Sequence, residues 1–112
     1  MSPEDRVRLQ HMLDAAQEVR EFMGANSYDD FCENRLLVNG VVRSLEVIGE
    51  AAAQISTELK KNSSEIPWRD IVSMRNRLIH AYFDINYKVV WRTTKEDVPM
   101  LIEQLKRILE QA

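Results

Sequence analysis

The chain has 112 residues, 45% hydrophobic and 29% charged, with a formal net charge of -3. That length fits a single domain over residues 1–112, whose modest core would gain from oligomerisation. Three features set the class: no apolar run reaches the length of a membrane span, the start Met1-Ser2-Pro3-Glu4-Asp5 lacks the basic and apolar stretches of a signal peptide, and the single Cys32 makes neither an internal disulfide nor a zinc cluster, so a cytoplasmic protein without membrane contact is expected.

Ser2, Pro3 and Asp5 mark a first helix start, a cap followed by a first-turn proline and an acid. Val7, Leu9, Met12, Leu13, Ala16, Val19 and Met23 recur at mostly helical spacing, and Gly24 is the stop. Ser27 followed by Asp30 signals the next start. With no proline to interrupt it, a long second helix is expected from about Asp29 to Leu59. Its apolar positions, from Leu37 and Val38 through Leu45 and Ile48 to Ile55, cover most of the circumference. Such a helix is covered on more than one side, either at the centre of the fold or between a core and a dimer seam. Gly49, beside Ala51, Ala52 and Ala53, permits the close approach of another helix, and a narrow stripe of Asn39, Arg43, Glu46 and Glu50 stays polar.

Lys60 to Ser64 reads as a loop. Ile66-Pro67 opens a third helix expected to end near Asp84. Asn86 caps a short fourth helix, Tyr87 to Lys95. Asp97 caps the last, in which Met100, Leu101, Leu105, Ile108 and Leu109 face inward. No alternating strand pattern or internal repeat is present. The expected fold is all-α, an up-and-down helical bundle of four to five helices.

The third helix breaks its own pattern. Counting from Trp68 at about 100° per residue, Ile71, Val72, Met74, Leu78, Ile79, Tyr82 and Ile85 share one arc, with Arg75 near its middle. An interior arginine must be paired, or must line a site that accepts an anion. Asn76 and His80, four apart, sit together at the border of the arc. The surrounding region, Ile66 to Lys95, carries Arg69, Arg75, Arg77, Lys88, Arg92 and Lys95 against Asp70 and Asp84. A local basic region in an acidic protein suits a polyanion site, and equally a solvated helix face.

Each residue has a chemical and a structural use. His80 changes charge near neutral pH and can act as general acid or base, or hydrogen-bond a neighbour. Arg75 can grip a phosphate with two prongs, or pair with Glu46 or Glu50 of the central helix. Asn76 can hold the imidazole or the substrate. The Tyr82 hydroxyl can touch a phosphate or accept a modifying group, while its ring can serve the core. Trp68, Phe83 and Trp91 are read as core aromatics before base-stacking ones. A glycine-rich phosphate loop, an H-E-x-x-H helix and a serine nucleophile elbow are all missing from the sequence, and Glu46 and Glu50 lack the histidine partners of a di-metal bundle.

Arg75-Asn76-Arg77-Leu78-Ile79-His80-Ala81-Tyr82 resembles the R-x-x-x-x-H-x-Y signature of the HEPN superfamily, in its HepT-like toxin branch. Asn76 matches the polar position after the arginine. Ile48-Gly49-Glu50-Ala51-Ala52, Ile66-Pro67-Trp68 and Tyr87-Val90-Trp91 agree with the family's surroundings, so the resemblance covers nearly the whole chain. It implies a homodimeric helical bundle with the motif at the dimer cleft. It also implies a metal-independent, cofactor-free endoribonuclease toxin of a type VII toxin–antitoxin pair. The implied antitoxin is a nucleotidyltransferase of the MntA type that adds AMP to Tyr82.

The roles the resemblance implies are catalytic for Arg75 and His80, and substrate-positioning for Asn76 and Tyr82. Glu46 and Glu50 stand behind Arg75. The other class of function is a non-catalytic HEPN module that partners a nucleotidyltransferase.

Overall fold

Short polar caps decide where this chain bends. A computed structural model describes residues 1–79 and 84–111. Helix α1 runs over Pro3–Met23; the Ser2 side chain accepts from the Asp5 N–H at 3.1 Å, and Gly24, at φ 44°, closes the helix through its N–H to the Arg20 carbonyl. Helix α2, Tyr28–Glu33, starts with the Ser27/Asp30 capping box. These starts and the stop are as the sequence indicates.

The long second helix is not continuous. Asn34 takes an extended conformation and its side chain accepts from the Leu37 N–H, so α3 begins anew at Arg35 and runs to Ala53. Ser56 does the same for Leu59, opening α4 over Thr57–Asn62. Asn and Ser side chains offer the backbone a partner outside the helix, which is why capping overrides the absence of proline. Lys60, Lys61 and Asn62, expected in a loop, belong to α4.

The third helix is also divided. Helix α5, Trp68–Val72, ends at Ser73, and α6 is the single turn Met74–Leu78. It stops well short of Asp84. Ile79 is extended (φ -124°, ψ 126°) and forms an isolated antiparallel bridge with Ile85, while the Asn86 N–H donates to the Leu78 carbonyl at 2.8 Å. Two β-branched residues thus pair where the periodicity suggested more helix.

Helix α7, Tyr87–Arg92, is capped by Asn86 as expected. It continues through a π-helical turn, Thr93–Asp97, into α8, Val98–Gln111. Asp97 therefore lies inside a continuous helical run and caps nothing. Pro99 accounts for the wide turn: its ring crowds the carbonyl one turn back and it has no N–H to donate. Among the described residues the bundle is all-helical, with more and shorter helices than four to five.

Helix α3 is central, as its wide apolar arc required. It packs on α1 to one side and on α5 and α6 to another, and α8 covers the far side of α1. Leu9, Met12, Phe31, Leu45, Ile48, Leu78, Ile102 and Leu105 are fully buried. Met100 and Val7, expected inward, are 64% and 53% exposed. The buried arc of α8 is set by Leu101, Ile102, Leu105 and Ile108, and Met100 lies on the other side of it.

Asp5 plays a larger part than a first-turn acid. It is buried, and its carboxylate accepts the Ser56 N–H (2.9 Å) and hydroxyl, tying the start of α4 to the start of α1. Burial pushes its pKa up, but the hydrogen bonds from Ser56 and Ser2 and the charge of Arg8 outweigh that, so the carboxyl is held below its ordinary value. Among the described residues, no helix is long and apolar enough to cross a membrane.

Candidate functional site

The site is built on one close helix contact. A Cβ placed on Gly49 would lie 3.0 Å from the Ile71 carbonyl oxygen, so α5 approaches α3 where glycine leaves room. Beside this contact, Glu46, one turn before Gly49 on α3, meets Arg75, just past the α5–α6 break. Arg75 Nε lies 2.8 Å from Glu46 Oε2.

Arg75 is not interior. Its side chain is 60% exposed, against 18% for Glu46. The break at Ser73 explains the difference. It resets the helical phase, and the buried side of α6 then consists of Met74 and Leu78, with Arg75 beside that face. Glu46 is the partner; Glu50 pairs instead with Arg43 at 3.3 Å, both largely exposed. Glu46 approaches the guanidinium from its Nε side, and among the described residues no other carboxylate pairs with it, so the rest of this largely exposed group faces solvent. Such a guanidinium is oriented at one edge and open at the other, the arrangement that lets it also take an oxyanion.

Asn76 is exposed on α6. His80 and Tyr82 lie outside the described residues. Helix α6 ends at Leu78, and Ile79 after it is extended.

Glu46 also lines a groove of about 670 Å³. Val38 and Val42 of α3 form its apolar floor, with Asn39 beside them. The Ile79–Ile85 bridge and Asp84 also line it. Glu33 at the end of α2, Arg35 at the start of α3 and Tyr87 at the start of α7 line it as well. The Tyr87 ring makes a T-shaped contact with buried Phe31, with centroids 6.3 Å apart and planes at 76°. Phe31 in turn meets Trp91, over which Lys95 sits at 4.7 Å. Trp68 is buried, its indole N–H donating to the Ser63 carbonyl at 3.1 Å, so it is a core residue.

Arg35, Asp84 and Tyr87 escaped sequence reasoning as groove residues. Helical periodicity carries no sign of them, because a chain reversal brings them together. The one available signal was Ile79 and Ile85, two β-branched residues flanking a short segment. All six cations of the basic region are exposed. Among the described residues, no group of three His, Cys, Asp or Glu side chains could hold a metal.

The chain matches the model of the HepT-like family, described as Ribonuclease HepT-like, over residues 12–108. It belongs to that family. Among its relatives, "Putative RNase TTE0752" of Caldanaerobacter subterraneus subsp. tengcongensis is 38% identical over 94% of this chain and 94% of its own length. "Putative RNase MJ1380" of Methanocaldococcus jannaschii is 37% identical over 88% of this chain and 90% of its own. "Probable ribonuclease HepT" of Thermococcus cleftensis is 37% identical over 89% and 91%. No solved structure matches the chain. For a HepT-like chain, ribonuclease activity is the family-level function and RNA the substrate it implies.

Proposed function

We propose that this chain, as a single HEPN domain, is a metal-independent endoribonuclease toxin whose site combines Arg75 and His80 at the cleft of a homodimer. The observation that carries the reading is the exposed Arg75 guanidinium, held by Glu46 at the rim of a groove in a member of a ribonuclease family.

In this reading the open edge of Arg75 takes the scissile phosphate and stabilises the charge that develops on it. The ribose 2′-oxygen attacks phosphorus and the bond to the 5′-oxygen breaks. The products are a 2′,3′-cyclic phosphate and a 5′-hydroxyl, and no water is consumed. His80 of one protomer accepts the 2′-hydroxyl proton while His80 of the partner subunit protonates the leaving oxygen. Asn76 and Tyr82 position the substrate, and Glu46 supports Arg75, while Glu50 is engaged by Arg43. The chain would act with a nucleotidyltransferase antitoxin that transfers AMP to Tyr82. The added bulk and negative charge beside Arg75 would exclude RNA by occlusion and repulsion.

The test is incubation of the purified protein with RNA in EDTA, followed by analysis of the product ends. Cyclic phosphate and 5′-hydroxyl ends are expected. Intact RNA, together with binding of a nucleotidyltransferase partner, would instead identify a non-catalytic module. Mass spectrometry of protein co-expressed with its nucleotidyltransferase should find adenylate on the peptide containing Tyr82.

A further inference from the structure

The groove beside Glu46 offers more than a phosphate contact requires. The geometry points to a nucleobase pocket: a base next to the scissile phosphate enters the groove, stacks on Tyr87 and is selected by its exocyclic amino group. This inference rests on the ribonuclease reading and deepens it to the base the site accepts.

Position comes first. Glu46 both lines the groove and binds Arg75, so a phosphate on the guanidinium is separated from the groove by one side chain. At about 670 Å³ the groove has room for a nucleoside. Its aromatic wall is next. Tyr87 is 41% exposed, yet its ring is fixed by the T-shaped contact with Phe31, which is fully buried. A half-exposed ring that lines the groove and is already ordered offers its exposed surface for stacking at low entropic cost.

The polar lining then decides which bases fit. Glu33 and Asp84 can only accept hydrogen bonds when ionised, and among the described residues neither has an ion-pair partner within 4 Å. They repel a phosphate, which keeps the sugar–phosphate backbone outside with Arg75. They favour a base that presents an amino donor. Adenine, cytosine and guanine carry one, and uracil does not. Arg35 and Asn39 supply donors for the ring nitrogens and carbonyls of the same base.

The test titrates the intact protein with the 3′-monophosphates of adenosine, cytidine, guanosine and uridine, read by calorimetry and by amide shifts of groove residues. The three amino-bearing nucleotides should bind roughly tenfold more tightly than the uridine nucleotide. Tyr87→Leu should weaken binding roughly tenfold, while Tyr87→Phe retains it. Glu33→Gln combined with Asp84→Asn should erase the discrimination against uridine. Equal binding of all four nucleotides to the wild-type protein overturns the pocket, and so does undiminished binding by a folded Tyr87→Leu variant. Discriminating nucleotide binding without any RNA cleavage removes the ribonuclease reading and leaves the pocket. Cleavage indifferent to the flanking bases, with no such binding, does the reverse.

Discussion

Replacing Gly49 by alanine tests how the site is positioned. A methyl group there meets the Ile71 carbonyl at 3.0 Å, and that oxygen belongs to the backbone, so α5 must shift by a few tenths of an ångström. Two effects oppose each other. Alanine improves helix propensity by about 1 kcal/mol. Overpacking against a neighbour that cannot rotate away costs about 1–3 kcal/mol. The net loss is about 1 kcal/mol, or roughly 4 °C in Tm for a chain of this size. Activity should fall severalfold, because the same shift of a few tenths of an ångström moves Arg75 relative to Glu46, and misplacement by a full ångström can cost about a hundredfold.

Gly40 is the internal control. Its added methyl would meet Phe22 Cε2 at 3.3 Å, and that side chain is 40% exposed and can move aside. Gly40→Ala should therefore raise Tm by a few degrees, close to the full propensity gain of about 1 kcal/mol. Thermal melts of both variants beside wild type, with RNA cleavage rates on the same preparations, make the comparison. If Gly49→Ala stabilises as much as Gly40→Ala and cleaves at the wild-type rate, the α3–α5 contact does not position the site.

Two other predictions concern named carboxylates. Asp5→Asn should cost about 1–3 kcal/mol at neutral pH, because the Ser56 N–H and hydroxyl lose a charged acceptor. The folded pKa of Asp5 lies below the ordinary carboxyl value of 3.8. Its charge therefore contributes fully above pH 3.8 and is lost as pH falls through the folded value. Denaturation at stepped pH should show the wild-type advantage flat from pH 7 to 5 and shrinking at the acid end; an advantage that vanishes above pH 5 refutes this. Glu46→Gln should change stability by less than about 1 kcal/mol, since Arg75 is largely exposed. Its kcat should drop about tenfold as the guanidinium loses its orientation; steady-state kinetics that show only a raised KM would refute the positioning role.

The parts of the fold written in local chemistry were legible. Ser2, Ser27 and Asn86 cap where expected, Gly24 ends α1, and Gly49 admits α5. The breaks were less so. Asn34 and Ser73 are ordinary residues in helical surroundings, and periodicity summed over a window does not register a one-residue interruption that resets the phase. That is why the periodicity sets Arg75 near the middle of a buried arc although its side chain is exposed. Its pairing with an α3 carboxylate was foreseeable, because the stripe of Asn39, Arg43, Glu46 and Glu50 left few candidates. The groove was not foreseeable. It depends on the Ile79–Ile85 bridge turning the chain back, a contact set by tertiary closure.

The central claim is that Arg75 grips the phosphate of a bound RNA. It is tested most directly by single-turnover RNA cleavage in EDTA with wild type, Arg75→Lys and Arg75→Ala, at matched folded concentration. The account predicts a loss of at least about a hundredfold for Arg75→Ala with Tm nearly unchanged, and an intermediate rate for Arg75→Lys, which keeps the charge and loses the fork. Cleavage by Arg75→Ala at the wild-type rate would contradict it.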